Sequence, residues 1–313
     1  MNKPINTFAL SLSLLLLGAC SSDTDGLHGS DGTQSLTVKV NVNAGIVSRA
    51  AEDNEVPKTC HFGVFEKKDD GTYVLHGEEQ EFAEVGADGT FTFRITDLSK
   101  EKDYRIAAWV MADYSEMEHP YYDNMESSHK KEGGVDLRDV RLKPGYMAWA
   151  GSKDINVLDG STVNMELKYA VARIDLEHTG EQGLNRGDNV TIGNNDIRGY
   201  KYKYDVVTGT TEAIDEQQDP IRIGEVISET NLKGTVLTAY VLVPSDGQTL
   251  DITIGYVKSG SNLGKFSLEV PNVPLRPNCR TVIRGDVTRI HTGVSQQFAA
   301  QLDTSWSEDN TDF

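Results

Sequence analysis

The chain has 313 residues, and its 48 acidic and 30 basic side chains give it a formal charge of −18 at pH 7. A surface this negative repels nucleic acid and anionic lipid headgroups, so neither is expected as a partner. The length is sufficient for two domains of ordinary size.

The amino terminus has the pattern of a bacterial lipoprotein signal. Lys3 precedes a short apolar run over 8–17, and two small residues then lead directly to Cys20. A positive start, an apolar middle and small residues before the cleavage point form a secretory signal, and the cysteine makes it a lipobox. We therefore predict a signal peptide over 1–19, acylation of Cys20 by palmitate-type chains, and membrane attachment through that lipid.

The alternatives for this segment are a plain secretory signal that happens to end in cysteine and a membrane-spanning helix. The apolar run is too short to span a bilayer comfortably, and no later stretch of the sequence approaches that length. The lipid is therefore expected to be the membrane attachment.

Residues 20–35 are predicted to be a flexible tether. They are mostly Gly, Ser and Asp, with Leu27 isolated among them, and such a segment buries too little apolar surface to order its backbone. Ser21 stands where inner-membrane lipoproteins carry an aspartate, and the acidic Asp23 and Asp25 resemble a signal for surface export. The predicted location is the outer membrane, with the folded part exposed at the cell surface.

From residue 36 onward, apolar residues recur at every second position. This alternation is clearest over 36–42 and is typical of a half-buried strand. Asp-Gly pairs at 70–71 and 88–89 favour tight hairpins. A short helix around 135–140 is the one helical candidate, so we predict an all-β protein. Further strands are predicted at 61–66, 72–76, 91–95, 104–110, 146–150, 200–206, 236–243, 250–257, 266–270 and 281–283.

The alternation changes phase between residues 163 and 176. Apolar residues fall on odd positions up to Val171, whereas Ile174 and Leu176 fall on even ones. One extra residue near Ala172 exchanges the buried face, as at a β-bulge or where a strand passes between two cores. We interpret this as the boundary between two β-sandwich domains, 36–168 and 169–313. The alternative is one long bulged strand inside a single domain.

The chain lacks the short motifs that carry catalysis or cofactor binding. It contains no nucleophile elbow, dinucleotide fingerprint, phosphate-binding loop or zinc-protease motif, and its seven histidines are scattered. Segments 23–26 and 68–71 resemble calcium loops only in part, because neither has the later glutamate. We expect no enzymatic activity, no catalytic residue, no cofactor, no metal site and no small-molecule substrate.

Two cysteines and three tryptophans have two interpretations each. Cys60 and Cys279 could form a disulfide outside the cytoplasm, but separate buried thiols are favoured because the two fall in different predicted domains. Trp109, Trp149 and Trp306 could form a sugar-binding platform. The first two lie in apolar strands, so we expect them to pack in the core.

Arg49 is a candidate processing site. It follows the first strand in a segment, 46–53, where small and charged residues indicate an exposed loop. A trypsin-like protease that cut after Arg49 would remove the first strand together with the lipid. The alternative is an ordinary surface arginine.

Two further segments resemble motifs of a known family. Residues 167–176 read LKYAVARIDL, and residues 275–285 read LRPNCRTVIRG. Together with the lipobox and the arginine after the first strand, they resemble the Bacteroidetes fimbrillin superfamily, the subunits of type V pili. The resemblance implies two tandem transthyretin-like β-sandwich domains. It also implies donor-strand exchange, in which a strand of one subunit completes the sheet of another.

The resemblance implies three roles within such a fibre. Stalk and tip subunits are cut after an arginine near the first strand, whereas anchor subunits keep the lipid and that strand. The compact length and the lack of long insertions resemble the anchor branch. We therefore predict an outer-membrane lipoprotein that anchors a fimbrium, binds stalk subunits by β-strand addition and supports cell adhesion. The alternatives are a processed stalk or tip subunit, and a surface glycan-binding lipoprotein.

A last alternating stretch, 298–306, precedes an acidic tail. This strand could complete the sheet of its own domain or be donated to a neighbouring subunit. The first interpretation is favoured, because a free apolar strand promotes aggregation.

Overall fold

The computed structural model describes most of the chain from Thr33 onward. The described residues are 33–42, 57–77, 81–84, 86, 90–112, 136–142, 145–157, 161–198, 202–214, 220–261, 266–292 and 298–305. Within these ranges, none of the secondary structure is a helix long and apolar enough to cross a membrane.

The described residues form strands and one short 3-10 helix, Val287–Thr292, which confirms the prediction of an all-β protein. The strands are β1 (Thr33–Val42), β2 (Pro57–Lys67), β3 (Tyr73–Leu75), β4 (Glu81–Glu84), β5 (Thr90–Ser99), β6 (Tyr104–Ala112), β7 (Ala148–Ile155), β8 (Ser161–Tyr169), β9 (Ala172–His178), β10 (Asn189–Arg198), β11 (Tyr202–Asp205), β12 (Thr210–Ala213), β13 (Pro220–Val226), β14 (Gly234–Val241), β15 (Gln248–Val257), β16 (Phe266–Leu275), β17 (Arg280–Gly285) and β18 (Ala299–Asp303).

A first hydrophobic core lies between two layers of strands. One layer has the order β3-β2-β6-β7, with β4 also paired to β2, and the other has the order β8-β1-β5. The layers join where β7 pairs with β8 at Trp149 and Tyr169. The rings of Phe62 in β2 and Phe93 in β5 stack with their centroids 4.3 Å apart, so the two layers face each other as a sandwich.

A second core lies between two four-stranded sheets, with the orders β13-β10-β15-β16 and β14-β9-β17-β18. The inward-facing side chains of β9, β10 and β15 meet in it. Among the buried residues of this cluster are Ile174, Leu176, Ile192, Ile252 and Ile254.

The chain crosses from the first core to the second between β8 and β9. Val171 is buried in the first cluster and Ala172 in the second, at the point where the sequence alternation changes phase. The two clusters are not strictly divided along the sequence, because Val206, Val207 and Tyr240 pack in the first core. The division into domains at 168 and 169 therefore stays a prediction.

Two details of the predicted elements are wrong. The first strand begins at Thr33 instead of residue 36, because Thr33 and Gln34 pair through their backbones with β5. The predicted tether, 20–35, is thus too long by three residues. No helix forms over 136–140, where Asp136 accepts hydrogen bonds from the N–H groups of Arg138 and Asp139 in a turn. Val140 then leaves the turn in a β-bridge with a residue of β11.

Four strands were not predicted from the alternation: β4, β10, β12 and β13. The longest of them, β10, contains three asparagines and a glycine and lacks a regular apolar period. Its backbone pairs with both β13 and β15, and these neighbours impose the extended conformation. Strand propensity depends on such context more than on the segment itself.

Candidate assembly site

The two predicted site residues, Cys20 and Arg49, lie outside the described residues. In the sequence they stand on either side of β1, Cys20 before it and Arg49 after it. Lipidation of Cys20 and processing at Arg49 both stay predictions. The structure does describe β1, the strand that both modifications concern.

β1 lies inside its layer, with a neighbour on each side. It is antiparallel to β5, with Leu36 opposite Ile95 and Val40 opposite Phe91. It is parallel to β8 along its length, ending with Val42 opposite Leu167. Both edges of the strand are therefore hydrogen-bonded within the chain.

The inner face of β1 carries four apolar side chains that are at most 4% exposed. Full burial of a side chain of this size contributes about 1.5–3 kcal/mol each. The strand is thus held by side-chain packing as well as by its backbone pairing. These residues are Leu36, Val38, Val40 and Val42.

The amino-terminal end of β1 is less regular than the rest. The register with β5 shifts between Gln34 and Leu36, and Asp97 on β5 adopts a left-handed φ of 64°. Gln34 is buried, and its Oε1 atom has no hydrogen-bond partner among the residues that the structure describes. An unpaired buried acceptor costs about 1–3 kcal/mol. The packing and pairing of β1 are therefore weakest at its amino-terminal end. The sequence alternation did not predict this feature.

β5 depends on β1 for its place in the layer. Among the described strands, β5 pairs with β1 alone. Removal of β1 would leave β5 without a strand partner and would open one edge of β8. Two facing unpaired edges with apolar pockets between them are the features that accept an added strand. The position of β1 is therefore the candidate assembly site of the described chain.

The two segments that carry the family resemblance lie side by side in the second half. β9 and β17 are parallel neighbours, and the N–H of Arg173 donates to the carbonyl of Cys279 over 3.0 Å. Asn278, with a φ of 57°, accepts from the N–H of Tyr169 and donates to the carbonyl of Val171. The second motif therefore fixes the point where the chain passes between the cores. The Pro-Asn pair in its sequence is a turn signal that could have revealed this.

Charged residues of the two motifs meet at Asp175. Asp175 is buried, and its Oδ1 atom accepts from the Nε of Arg173 and the hydroxyl of Thr238, each over 2.8 Å. Nη1 of Arg280 lies 3.8 Å from its other oxygen. A buried carboxylate is tolerated only with such partners. Asp175, Arg173 and Arg280 therefore have a structural role.

The described tryptophans and cysteines are core residues. Trp109 and Trp149 are fully buried, as predicted, so neither can present its ring to a sugar at the surface; Trp306 lies outside the described residues. Cys60 and Cys279 are both free and buried, which confirms the favoured interpretation. Burial raises the pKa of both thiols, which keeps them protonated and poorly reactive.

The carboxyl-terminal strand completes its own sheet. β18 pairs antiparallel with β17, from Arg280 opposite Asp303 to Arg284 opposite Ala299. Phe298, just before the strand, packs against the second core. The favoured interpretation of this segment is therefore confirmed over the residues that the structure describes.

Comparison with solved structures finds several to which the chain is similar over most of its length. It is similar to a putative cell adhesion protein from Bacteroides ovatus, at 10% identity and a TM-score of 0.47 over 87% of this chain and 98% of the other. It is similar to the tip fimbrial protein Mfa3 from Porphyromonas gingivalis, at 12% identity and a TM-score of 0.46 over 87% and 99% of the two chains. It is also similar to a fimbrial assembly protein from Parabacteroides distasonis, at 13% identity and a TM-score of 0.41 over 87% and 98%.

No curated protein matches the sequence. Residues 28–311, nearly the whole chain after the predicted signal and the first part of the tether, match the sequence profile of one family. The chain therefore belongs to that family, the family of unknown function DUF6562.

Proposed function

We propose that this protein is an outer-membrane lipoprotein that serves as the anchoring subunit of a surface fimbrium and so supports cell adhesion. It is held in the membrane by lipid on Cys20 and binds a stalk subunit by β-strand addition. The predicted signal, the two motif segments and the absence of catalytic motifs in the sequence support this function.

The single observation that carries the anchor role is the position of β1. An anchor subunit keeps its first strand, and in this chain that strand is paired on both sides, with its apolar face buried. The slot between β5 and β8 is therefore filled by the chain's own strand, and in an anchor the stalk subunit would add its strand at another edge of the sheet. A pulling force on the lipid would act first on β1, and its backbone hydrogen bonds with β5 and β8 would resist that force together.

The proposal includes a division into two β-sandwich domains near residues 168 and 169. The crossing of the chain between the two hydrophobic clusters at Val171 and Ala172 supports it.

A processed stalk or tip subunit is the second candidate. Arg49 stands in the sequence between β1 and β2, so a cut there would separate β1 covalently from the rest of the chain. Loss of β1 would leave the slot between β5 and β8 open for a donated strand. This candidate predicts a mature amino terminus at Ala50.

Mass spectrometry of the mature amino terminus in membranes of the native host tests the proposal. The expected species begins at an acylated Cys20 and retains β1, and a Cys20→Ser variant should lose palmitate labelling and leave the membrane fraction. A mature chain that begins at Ala50 would instead support the processed subunit. Labelling that persists in the variant would refute lipidation of Cys20.

The fimbrial role needs a separate experiment. The lipidated protein is isolated from surface-labelled cells in mild detergent after cross-linking, and its partners are identified. A fimbrial stalk subunit should be recovered, and deletion of the gene should release fimbriae from the cells into the medium. Normal retention of fimbriae on the deletion strain would contradict the anchor role.

A further inference from the structure

A hairpin from the second half of the chain packs into the core of the first half. β11 and β12 form this hairpin, residues 202–213, which we call the arm. Among the described strands, the two strands of the arm pair only with each other. The arm follows β9 and β10, whose side chains belong to the second core, so its packing joins parts of the chain that are distant in sequence.

Side chains at the turn of the arm complete the first core. Val206 and Val207 are at most 1% exposed and belong to the first cluster. The ring of Tyr204 lies 5.8 Å from that of Trp109 on β6. These residues cover the face of β6 that points away from the sandwich interior, a face that would otherwise expose a fully buried tryptophan.

Backbone hydrogen bonds hold the arm against the first half. Tyr204 and Val140 exchange two hydrogen bonds of 2.9 and 3.0 Å, and the N–H of Val206 donates to the carbonyl of Leu137 over 2.7 Å. Nη1 of Arg105 donates to the carbonyl of Val207 over 3.1 Å.

Arg105 is itself held in position. Its Nε and Nη2 atoms donate to the two carboxylate oxygens of Asp154 over 2.7 and 2.9 Å. Its guanidinium lies 4.4 Å from the centre of the Tyr73 ring. A bidentate pair of this kind has a fixed geometry, so Arg105 offers the arm a preorganised donor.

The arm is also bound to the second half. The hydroxyl of Tyr202 at its base donates to Oε1 of Gln248 on β15 over 2.8 Å. The two halves also contact each other away from the arm, where the N–H of Gly145 donates to the carbonyl of Tyr240 on β14 over 2.7 Å. The arm therefore has defined contacts in both halves of the molecule.

From these contacts we infer that the arm is a clasp that couples the two hydrophobic cores, so that they open and unfold as one unit. The direct chain connection between the cores is short, only Ala170 and Val171, and could act as a hinge if it were alone. The clasp fixes the orientation of β1 relative to the second sandwich. This inference concerns the fold and does not depend on the proposed fimbrial function.

Native-state hydrogen exchange followed by mass spectrometry tests the clasp in the full soluble chain without its signal. The opening constants of the slowest amides in β6 and β15 report the first and second cores. In the unmodified protein the two should agree within about threefold, because a coupled structure opens globally. In a Tyr204→Ala/Val206→Ala variant they should differ by more than about tenfold.

A Thr208→Ala/Thr210→Ala variant is the matched control. Both threonines are exposed on the same hairpin, and their hydroxyls bond to each other over 2.7 Å. The two cores should still open together in this control. If the Tyr204→Ala/Val206→Ala variant does not fold, the near-isosteric Val206→Thr variant takes its place and is judged by the same criterion. The clasp would be refuted if the two cores opened separately in the unmodified protein. It would also be refuted if they opened together in the Tyr204→Ala/Val206→Ala variant.

Discussion

At the scale of single residues, the polar groups buried in the first half are the informative ones. Gln34, at the irregular end of β1, has a buried amide oxygen without a hydrogen-bond partner in the described part of the chain. His61 is buried on β2, opposite Trp109 of β6. Each lowers the stability of the sandwich under defined conditions, and each can be replaced without changing the backbone.

A Gln34→Met substitution should stabilise the protein by about 1–2 kcal/mol, because it removes the unsatisfied acceptor and keeps a side chain of similar length. Urea denaturation measures the change. Lys39→Met is the matched control, since Lys39 is exposed on the same strand, and it should change the free energy of unfolding by less than about 0.5 kcal/mol. Equal stability of Gln34→Met and the unmodified protein would show that Oε1 is hydrated.

His61 should make the protein sensitive to mild acid. Burial lowers the pKa of its imidazole from 6.5 to about 4. The unfolded chain therefore binds one more proton than the folded chain between these values. The contribution of His61 is complete above pH 6.5 and is lost as the pH falls towards 4, at which point the loss is about 3 kcal/mol.

Denaturation of the unmodified protein and of a His61→Gln variant between pH 7.5 and 4 measures this contribution. Glutamine stays neutral throughout, so the variant should lose less stability across the window, and the difference between the two curves isolates His61 from the carboxylates. Parallel curves would contradict the prediction.

At the scale of elements, edge strands and inner strands differ in how many neighbours they pair with. β18 is an edge strand bound through β17, whereas β1 is an inner strand bound on both sides. The sequence alternation is similar in both, because each has one buried face. Only the pairing distinguishes a strand that closes an edge from one that joins two neighbours.

Deletion of residues 296–313 should lower the melting temperature of the monomer. β17 would lose its partner, and the contacts of Arg280 with Asp303 and of Arg284 with Gln301 would be lost. Thermal unfolding followed by circular dichroism measures the effect. Gln301→Ala, which keeps the strand, is the control and should be nearly neutral. An unchanged melting temperature after the deletion would show that β18 adds nothing to the monomer.

At the scale of the whole molecule, the first strand and the rest of the chain form one structure even where the chain between them could be cut. β1 has eight paired positions with β5 and seven with β8, in addition to its buried face. Covalent continuity is therefore a small part of what holds it.

A specific protease site introduced in place of residues 46–53 makes this testable. After the cut, the amino-terminal fragment should co-elute with the remainder in gel filtration under native conditions and separate only in denaturant. A Val38→Asp/Val40→Asp version places two charges in the core and should release the fragment after the same cut. If the cut chain with the native Val38 and Val40 also released the fragment, the covalent connection, and not the sheet, would be what retains β1.

Several features of this protein could be determined from its sequence alone. The all-β class and the core positions of Val38 and Val40 follow from local alternation. The burial of Trp109 and Trp149 follows from the apolar strands around them, and the separate thiols from the distance between Cys60 and Cys279 in the sequence. A period of two specifies a strand and its buried face wherever that face has apolar residues. The confirmed predictions all lie in segments with such a face.

Other features were decided only by the tertiary structure. The β-bridge of Val140 with β11, the polar strand β10 and the packing of Tyr204 and Val206 against the first half depend on partners far away in the chain. Which strands become neighbours, and therefore whether β1 lies inside its layer or at an edge, is likewise a long-range property. Local pattern determines which face of a strand is buried, but backbone pairing satisfies donors and acceptors of any sequence, so its partners are chosen by the packing of the whole molecule.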